Sequence, residues 1–368
     1  IMGGLAGDAL TTGASNVAIG YGALTTEDAH GRNVAIGHNA LATQDAGADA
    51  YNVAIGYTAG VLISTGVENV LIGGLAGDAL TTGSYNIAIG KSALSAEDAH
   101  GKNIAIGWGT LATLNAGADA YNIAIGHNSG TYLTTGIKNT LIGGLAGDAL
   151  DTGNNNTALG YNALGQETKG DRNVAVGANA LVTQNNTSNV DSYNTAIGYD
   201  AGTAMTTGIQ NTLIGGLAGD ALTIGNNNIA IGYLALSTSV DGDSNTAIGY
   251  KALEDYEDGD GNGHNTAVGA SSQLNATTGE YNTSLGSLSM GTLRAGADGY
   301  NVAVGFEAGL TMTTGLYNVL LGAAAGDAIT TAEKNIAIGY GALGSEDTHG
   351  KNVAIGDSAL TTLNAGAY

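Results

Sequence analysis

The sequence predicts an all-β chain, a parallel β-solenoid (β-roll) of about 20 coils. Three observations predict it. A short motif, Asn-x-Ala-Ile-Gly, recurs along the chain, mostly every 17 residues. Glycine supplies 62 of the 368 residues, while proline and cysteine are absent. The apolar residues are mostly Ala, Ile, Leu and Val, with one Trp and one Phe. Small and β-branched side chains suit a thin, tightly wound interior and not a thick globular core.

The repeat comes first, because internal periodicity decides the architecture. The motif opens at Asn16, Asn33, Asn52, Asn69, Asn86, Asn103, Asn122, Asn139, Asn156 and Asn173. It continues at Asn194, Asn211, Asn228, Asn245, Asn265, Asn282, Asn301, Asn318, Asn335 and Asn352, which makes 20 units. Longer spacings of 19, 20 or 21 place their extra residues in one part of the unit, as in Asp45–Tyr51 or Asp255–His264. Insertions confined to one place mark a surface loop beside a constrained remainder. Helix-pair repeats need about 33–47 residues per unit, so they are excluded. One coil per unit, at about 4.8 Å each, gives a stack on the order of 95 Å long. A second period of about 70 residues overlies the first: Gly-Gly-Leu-Ala-Gly-Asp-Ala-Leu begins at Gly3, Gly73, Gly143 and Gly215, with a degenerate copy at Gly322. Duplication of a four-coil block explains it. The whole span, 1–368, is expected to form one continuous repeat domain.

Each column of the repeat has a reading. Three residues after the Asn stands Ile, Val or Leu, and one residue after it stands Val, Ile or Thr. These two share a face of a short strand, because strand side chains alternate. The residue between them is Ala, except for Leu71, Leu141, Leu213, Leu320 and Ser284. Neither face carries a charge in any unit. Both faces are therefore expected to be buried, one inside the coil and one against a neighbouring copy of the chain. The branched column, with Ile19, Ile36, Ile55, Ile72, Ile89 and Ile106, is assigned to the core. The glycine closing each strand (Gly20, Gly37, Gly56, Gly73) implies a left-handed turn or a close backbone approach. The opening Asn residues (Asn16, Asn33, Asn52, Asn69, Asn86, Asn103, Asn122, Asn139) are expected to stack as a ladder of side-chain amides. After the glycine come a small residue (Ala23, Ala40, Thr110) and then Leu or Gly (Leu24, Leu41, Gly60), which read as a bend closing the coil. Proline is missing because nearly every N–H must pair with the next coil.

Charge narrows the function. The net charge is −22, with only 10 Lys and Arg, so phosphate neutralisation and nucleic-acid binding are excluded as expectations. An acidic surface keeps long particles apart in solution. No apolar run reaches the ~20 residues of a membrane helix, so no membrane insertion is expected. The sequence begins at Ile1 inside a repeat and stops at Tyr368, where the next Asn would fall. Uncapped solenoid ends invite edge pairing, so a segment of a longer fibre is expected, or a unit stacked end to end.

The candidate sites each have a plain alternative. Glu27-Asp28-Ala29-His30, Glu97-Asp98-Ala99-His100 and Glu346-Asp347-Thr348-His349 place acids near a histidine. They read as a metal site or a pH-sensitive contact, or as a solvated loop duplicated with its block. Asp255, Asp258, Asp260 and Asn262 offer oxygen ligands at short spacing and resemble a calcium loop loosely, without its closing Glu. Calcium is the one cofactor considered. Asp8, Asp78, Asp148, Asp220 and Asp327 recur once per block and read as turn caps. An aromatic residue often follows the strand glycine, as at Tyr21, His38, Tyr57, Trp108 and Tyr250. Such a stripe could stack on sugars or pack against the next coil. No nucleophile–base arrangement recurs, and no glycine-rich phosphate loop precedes a helix, so no enzyme is expected.

Asn-Val-Ala-Ile-Gly-Tyr-Gly-Ala-Leu (16–24) and Asn-Thr-Ala-Ile-Gly-Tyr-Lys-Ala-Leu (245–253) resemble the head repeats of trimeric autotransporter adhesins of the YadA-like family. They resemble repeats of phage tail-fibre proteins equally. The resemblance spans essentially the whole chain, although adhesin repeats are typically shorter. It implies a left-handed parallel β-roll, three rolls packed side by side, and a setting outside the cell, on a cell surface or on a virion. The expected function is a rigid structural fibre for attachment or adhesion, touching a host-cell surface or glycan. A secreted self-assembling filament and an ice-binding or glycan-binding solenoid are the alternatives. Ice binding needs a flat Thr array coil after coil, and Thr11, Thr81, Thr134, Thr206 and Thr313 are too sparse.

Overall fold

The computed structural model describes residues 1–256, 263–294, 298–345 and 348–363. They form a parallel β-solenoid with one three-residue strand per turn and no helix among the described residues. The chain divides into two compact units, Ile1–Asn179 with Asn185–Asp191, and Ala180–Gln184 with Ser192–Tyr368. In the first unit the strands run from Val17–Ile19 to Val174–Val176. Partners lie in register: Val17 opposite Val34, Ala18 opposite Ala35, Ile19 opposite Ile36. A two-residue pair, Gly170–Asp171 with Val190–Asp191, adds a second parallel contact there. In the second unit the strands run from Thr195–Ile197 to Val353–Ile355. Thr246 still faces Thr266 across the 20-residue spacing, so the insertion leaves the strand register untouched.

Backbone hydrogen bonds tie each coil to the next. Val17 N–H donates to Asn33 C=O, and Gly37 N–H donates to Ile19 C=O, both at 2.8 Å. Closing a coil this short takes four left-handed positions per turn. The residue before each Asn has positive φ, as at Arg32, Tyr51 and Lys102. So have the second and fourth residues after the strand glycine, as at Asn39 and Leu41. The fourth position is the glycine itself. Gly37 has φ +140°, and a Cβ there would lie 2.2 Å from Gly56 O, so glycine is obligatory. Non-glycine residues held left-handed cost on the order of 1 kcal/mol each. They persist here because the coils above and below fix their backbone bonds.

The interior corrects one expectation. Ile19, Ile36, Ile55, Ile72, Ile89 and Ile106 do not line the core: their side chains point outward and are only partly covered. The residue between the branched pair points in, and Ala18, Ala35, Ala54, Leu71, Ala88 and Ala105 are fully buried. Facing them are Leu24, Leu41, Leu94 and Leu111, and a further interior column with Ile63, Leu80, Leu114 and Leu133. The reason is cross-section. A 17-residue coil leaves room for a methyl from the strand against leucines from the bend, and not for a branched side chain. Where the strand does present Leu, the bend gives way. Leu71 Cδ1 lies 2.7 Å from the place a Gly60 Cβ would take, and Leu71 Cδ2 lies 2.8 Å from that of Gly77. Leu141 with Gly130 and Gly147, Leu213 with Gly202 and Gly219, and Leu320 with Gly309 and Gly326 repeat the arrangement.

Candidate functional site

Three features of the coils have chemistry: the Asn ladder, the surface columns, and polar residues set into the interior. The ladder is continuous within each unit. Asn16 Oδ1 accepts from Asn33 N–H at 2.9 Å, Asn33 Oδ1 from Asn52 N–H at 3.0 Å, and Asn52 Oδ1 from Asn69 N–H at 2.9 Å. It goes on through Asn86, Asn103, Asn122 and Asn139 at 2.9–3.1 Å. In most coils the side-chain N–H group donates to a backbone carbonyl fourteen residues on, as Asn69 Nδ2 to Gly83 O and Asn122 Nδ2 to Gly136 O, both at 2.9 Å, whereas Asn103 Nδ2 turns to Gly101 O at 3.3 Å. Each amide thus bonds the coil below to its own start, which explains why no other residue replaces Asn.

The outward strand face carries no charge, only Val, Ile, Leu and Thr. Val17, Ile19, Ile197, Ile229 and Ile336 are 38–40% exposed, and most of the remaining residues in these columns are partly covered. Its strands are in register, and in the second unit Thr195, Thr212, Thr246, Thr266 and Thr283 interleave with Ile, Val and Leu.

Two exposed aromatic columns flank it. After the strand glycine, Tyr21, His38 and Tyr57 stack at 5.4 Å between centroids, and Trp108 stacks on His127 at 4.9 Å. The second column precedes the Asn and is not evident from the Tyr-after-Gly pattern. There His264, Tyr281, Tyr300 and Tyr317 stack at 5.0–5.5 Å with ring planes within 6°. The ring faces are covered by one another, so these runs present edges and hydroxyls where sugar stacking needs open faces. The same column holds Arg32, Lys102, Lys138, Arg172, Lys334 and Lys351, more than half of the chain's Lys and Arg. Arg32 Nε meets Asp49 Oδ2 at 2.9 Å, and Lys102 Nζ meets Asp119 Oδ2 at 2.6 Å while lying 5.1 Å from the Tyr121 ring centroid. Lys102 holds the Asp119 carboxyl below its usual range, and Asp119 and Tyr121 raise the Lys102 ammonium. These are exposed staples between coils, weakened by solvent screening. The threonines considered for ice are occupied as well: Thr11 Oγ1 donates to Asp28 O at 3.0 Å and Thr81 Oγ1 to Asp98 O at 2.8 Å.

The first two acidic segments, at Glu27 and Glu97, are not simply solvated loops. Glu27 and Glu97 are fully buried, in the interior column that is Ile63, Leu80, Leu114 and Leu133 elsewhere. Glu27 Oε1 accepts His30 N–H at 3.1 Å, and burial raises the Glu27 carboxyl above its ordinary value. Glu346 and Asp347 of the third segment lie outside the described residues, as do Asp258, Asp260 and Asn262 of the calcium segment. Asp255 is exposed, and its N–H donates to Leu274 O at 3.1 Å. Asp78, Asp148, Asp220 and Asp327 are partly covered, and their carboxyls are raised by burial against hydrogen bonds from local backbone N–H groups. Comparison with family models, curated proteins and solved structures finds no match to this chain.

Proposed function

We propose that the chain is a structural, non-enzymatic protein that packs with copies of itself, as a parallel homotrimer, into a stiff fibre segment. The observation that carries this is the outward strand face: Val, Ile, Leu or Thr in every coil, half-exposed, with no charge in 20 repeats. A surface of −22 net charge that keeps one stripe free of ions has a partner for that stripe. A second copy fits best, because an in-register face with one coil spacing matches an identical face coil for coil. The setting outside the cell or on a virion rests on the resemblance to adhesin heads and tail fibres. Ladders, stacked rings and Thr staples all serve cohesion between coils, which suits a mechanical role. Sedimentation equilibrium tests the reading. A folded particle of three chain masses supports it, and a stable folded monomer at tens of micromolar overturns it.

A further inference from the structure

The buried glutamates fall into two kinds. Glu167, one block on from Glu97, is answered by the protein alone. Its Oε1 accepts N–H groups of Thr168, Lys169, Gly170 and Asn186 at 2.8–3.0 Å, and its Oε2 accepts Asn186 Nδ2 at 2.8 Å. Glu27 is not. Its side chain is fully buried, its Oε2 has no partner, and the buried Nδ1 of His30, 3.9 Å from Oε1, has none either. At Glu97 both oxygens accept backbone N–H groups, from His100 at 3.1 Å and Ala116 at 3.3 Å, but His100 Nδ1 is again buried and unpaired, 3.6 Å from Oε1. Where the histidine position becomes Gly170, the carboxylate is saturated; at His30 and His100 the imidazole Nδ1 is left without a hydrogen bond. A buried carboxylate oxygen and a buried ring nitrogen on neighbouring side chains, both without a hydrogen bond, are a costly pair to leave unanswered.

Around the first pair the ligand atoms converge. Glu27, Asp28, His30 and Asp45 each place one ligand atom within 4.8 Å of the others, and Glu97, Asp98 and His100 do the same. Asp45 belongs to the following coil, and the residue one block on from it is Asn115. We propose that Glu27, Asp28, His30 and Asp45 bind a divalent first-row transition cation such as Zn2+, with Glu97, Asp98 and His100 forming a second, weaker copy. One imidazole nitrogen with carboxylate oxygens suits zinc, nickel, cobalt or manganese, whereas calcium takes an all-oxygen shell. The ion would answer the free Glu27 oxygen and the His30 nitrogen together. Through Asp45 it would also clamp one coil to the next.

The test is calorimetric titration of the full chain with Zn2+ alone, after chelator treatment, with calcium as the contrast. The expected result is two zinc ions per chain, the first tighter, with calcium binding weakly at both. Asp45→Asn, an exposed and near-isosteric change, should weaken the first site about tenfold or more. Asn115→Asp should tighten the second site. His30→Gln should remove the first site and His100→Gln the second, with circular dichroism reporting that the fold is kept. Binding that ignores Asp45→Asn and both histidine changes would overturn the proposal. So would the lack of saturable zinc binding.

Discussion

Replacing Leu71 by Ala probes how the interior is filled. Leu71 is fully buried, and its two δ-methyls occupy the space that the Cβ atoms of Gly60 and Gly77 would need. The substitution removes three carbons, each worth about 0.8 kcal/mol of transfer energy, or about 2.4 kcal/mol together. A cavity term adds to this, because two glycines cannot grow into the gap, so the total should be about 3 kcal/mol. A rescue follows from the geometry. Most coils with Ala on the strand carry Leu on the bend, as with Ala88 and Leu94, and the exceptions with Gly there, such as Ala54 with Gly60, directly precede a coil with Leu on the strand. Leu41 and Leu94 sit at φ +49° and +54°, close to Gly60 at +58° and Gly77 at +55°. The triple variant Gly60→Leu, Leu71→Ala, Gly77→Leu should therefore extend the leucine column and recover most of the loss. Urea unfolding followed by circular dichroism measures both, with hydrogen exchange at the neighbouring coil amides as a local readout. A loss under about 0.5 kcal/mol for Leu71→Ala would refute the packing argument. So would a triple variant no more stable than the single one.

Three further outcomes follow. Ala88→Asp should abolish cooperative folding, because it places an unpaired charge in the interior, whereas Ile89→Asp should leave the coil folded and weaken only self-association; equal melting temperatures would contradict the inward and outward assignment. Asn69→Ala should cost about 1–3 kcal/mol in urea unfolding, since it strands the Asn86 N–H and the Gly83 carbonyl inside the turn, and a neutral result would sink the ladder. Glu27, Asp78, Asp148, Asp220 and Asp327 have carboxyls raised by burial above their ordinary values of 4.5 and 3.8. Each binds its proton more tightly when folded, so its stabilisation is complete below the ordinary value and is lost as pH rises through the raised one. The melting temperature should therefore climb as pH is lowered from neutrality towards those ordinary values in metal-free buffer, and a fall would contradict the burial of these groups.

The sequence shows periodicity well and direction poorly. The 20 Asn-opened units fixed strand position and register, because a strand repeat needs only alternation and spacing. Which face points inward is a question of size, and hydrophobicity misleads there. Ile89 is more apolar than Ala88, yet the coil has room for the methyl only. The pairing of Leu71 with Gly60 and Gly77 was present in the sequence as a covariation between strand and bend, visible once the columns are compared for volume. The burial of Glu27 was legible in the same way: its column is Leu80, Leu114 and Leu150 in other coils. The stacked run from His264 to Tyr317 was hidden because the column before the Asn mixes Tyr with Lys, Arg, Glu and Ser, and only the positive φ common to its members unites them.

The chain has no cysteine, so a single spin label at Ile55→Cys reports on the outward strand face alone. Facing sheets pack about 10 Å apart, so labels on neighbouring copies should lie on the order of 10–20 Å from one another. Pulsed dipolar spectroscopy should show a short, narrow distance between chains at Ile55→Cys and a longer one at Tyr57→Cys on the aromatic rim. Labels at Ile55→Cys with no dipolar coupling, on a folded chain at tens of micromolar, would contradict the self-packed fibre.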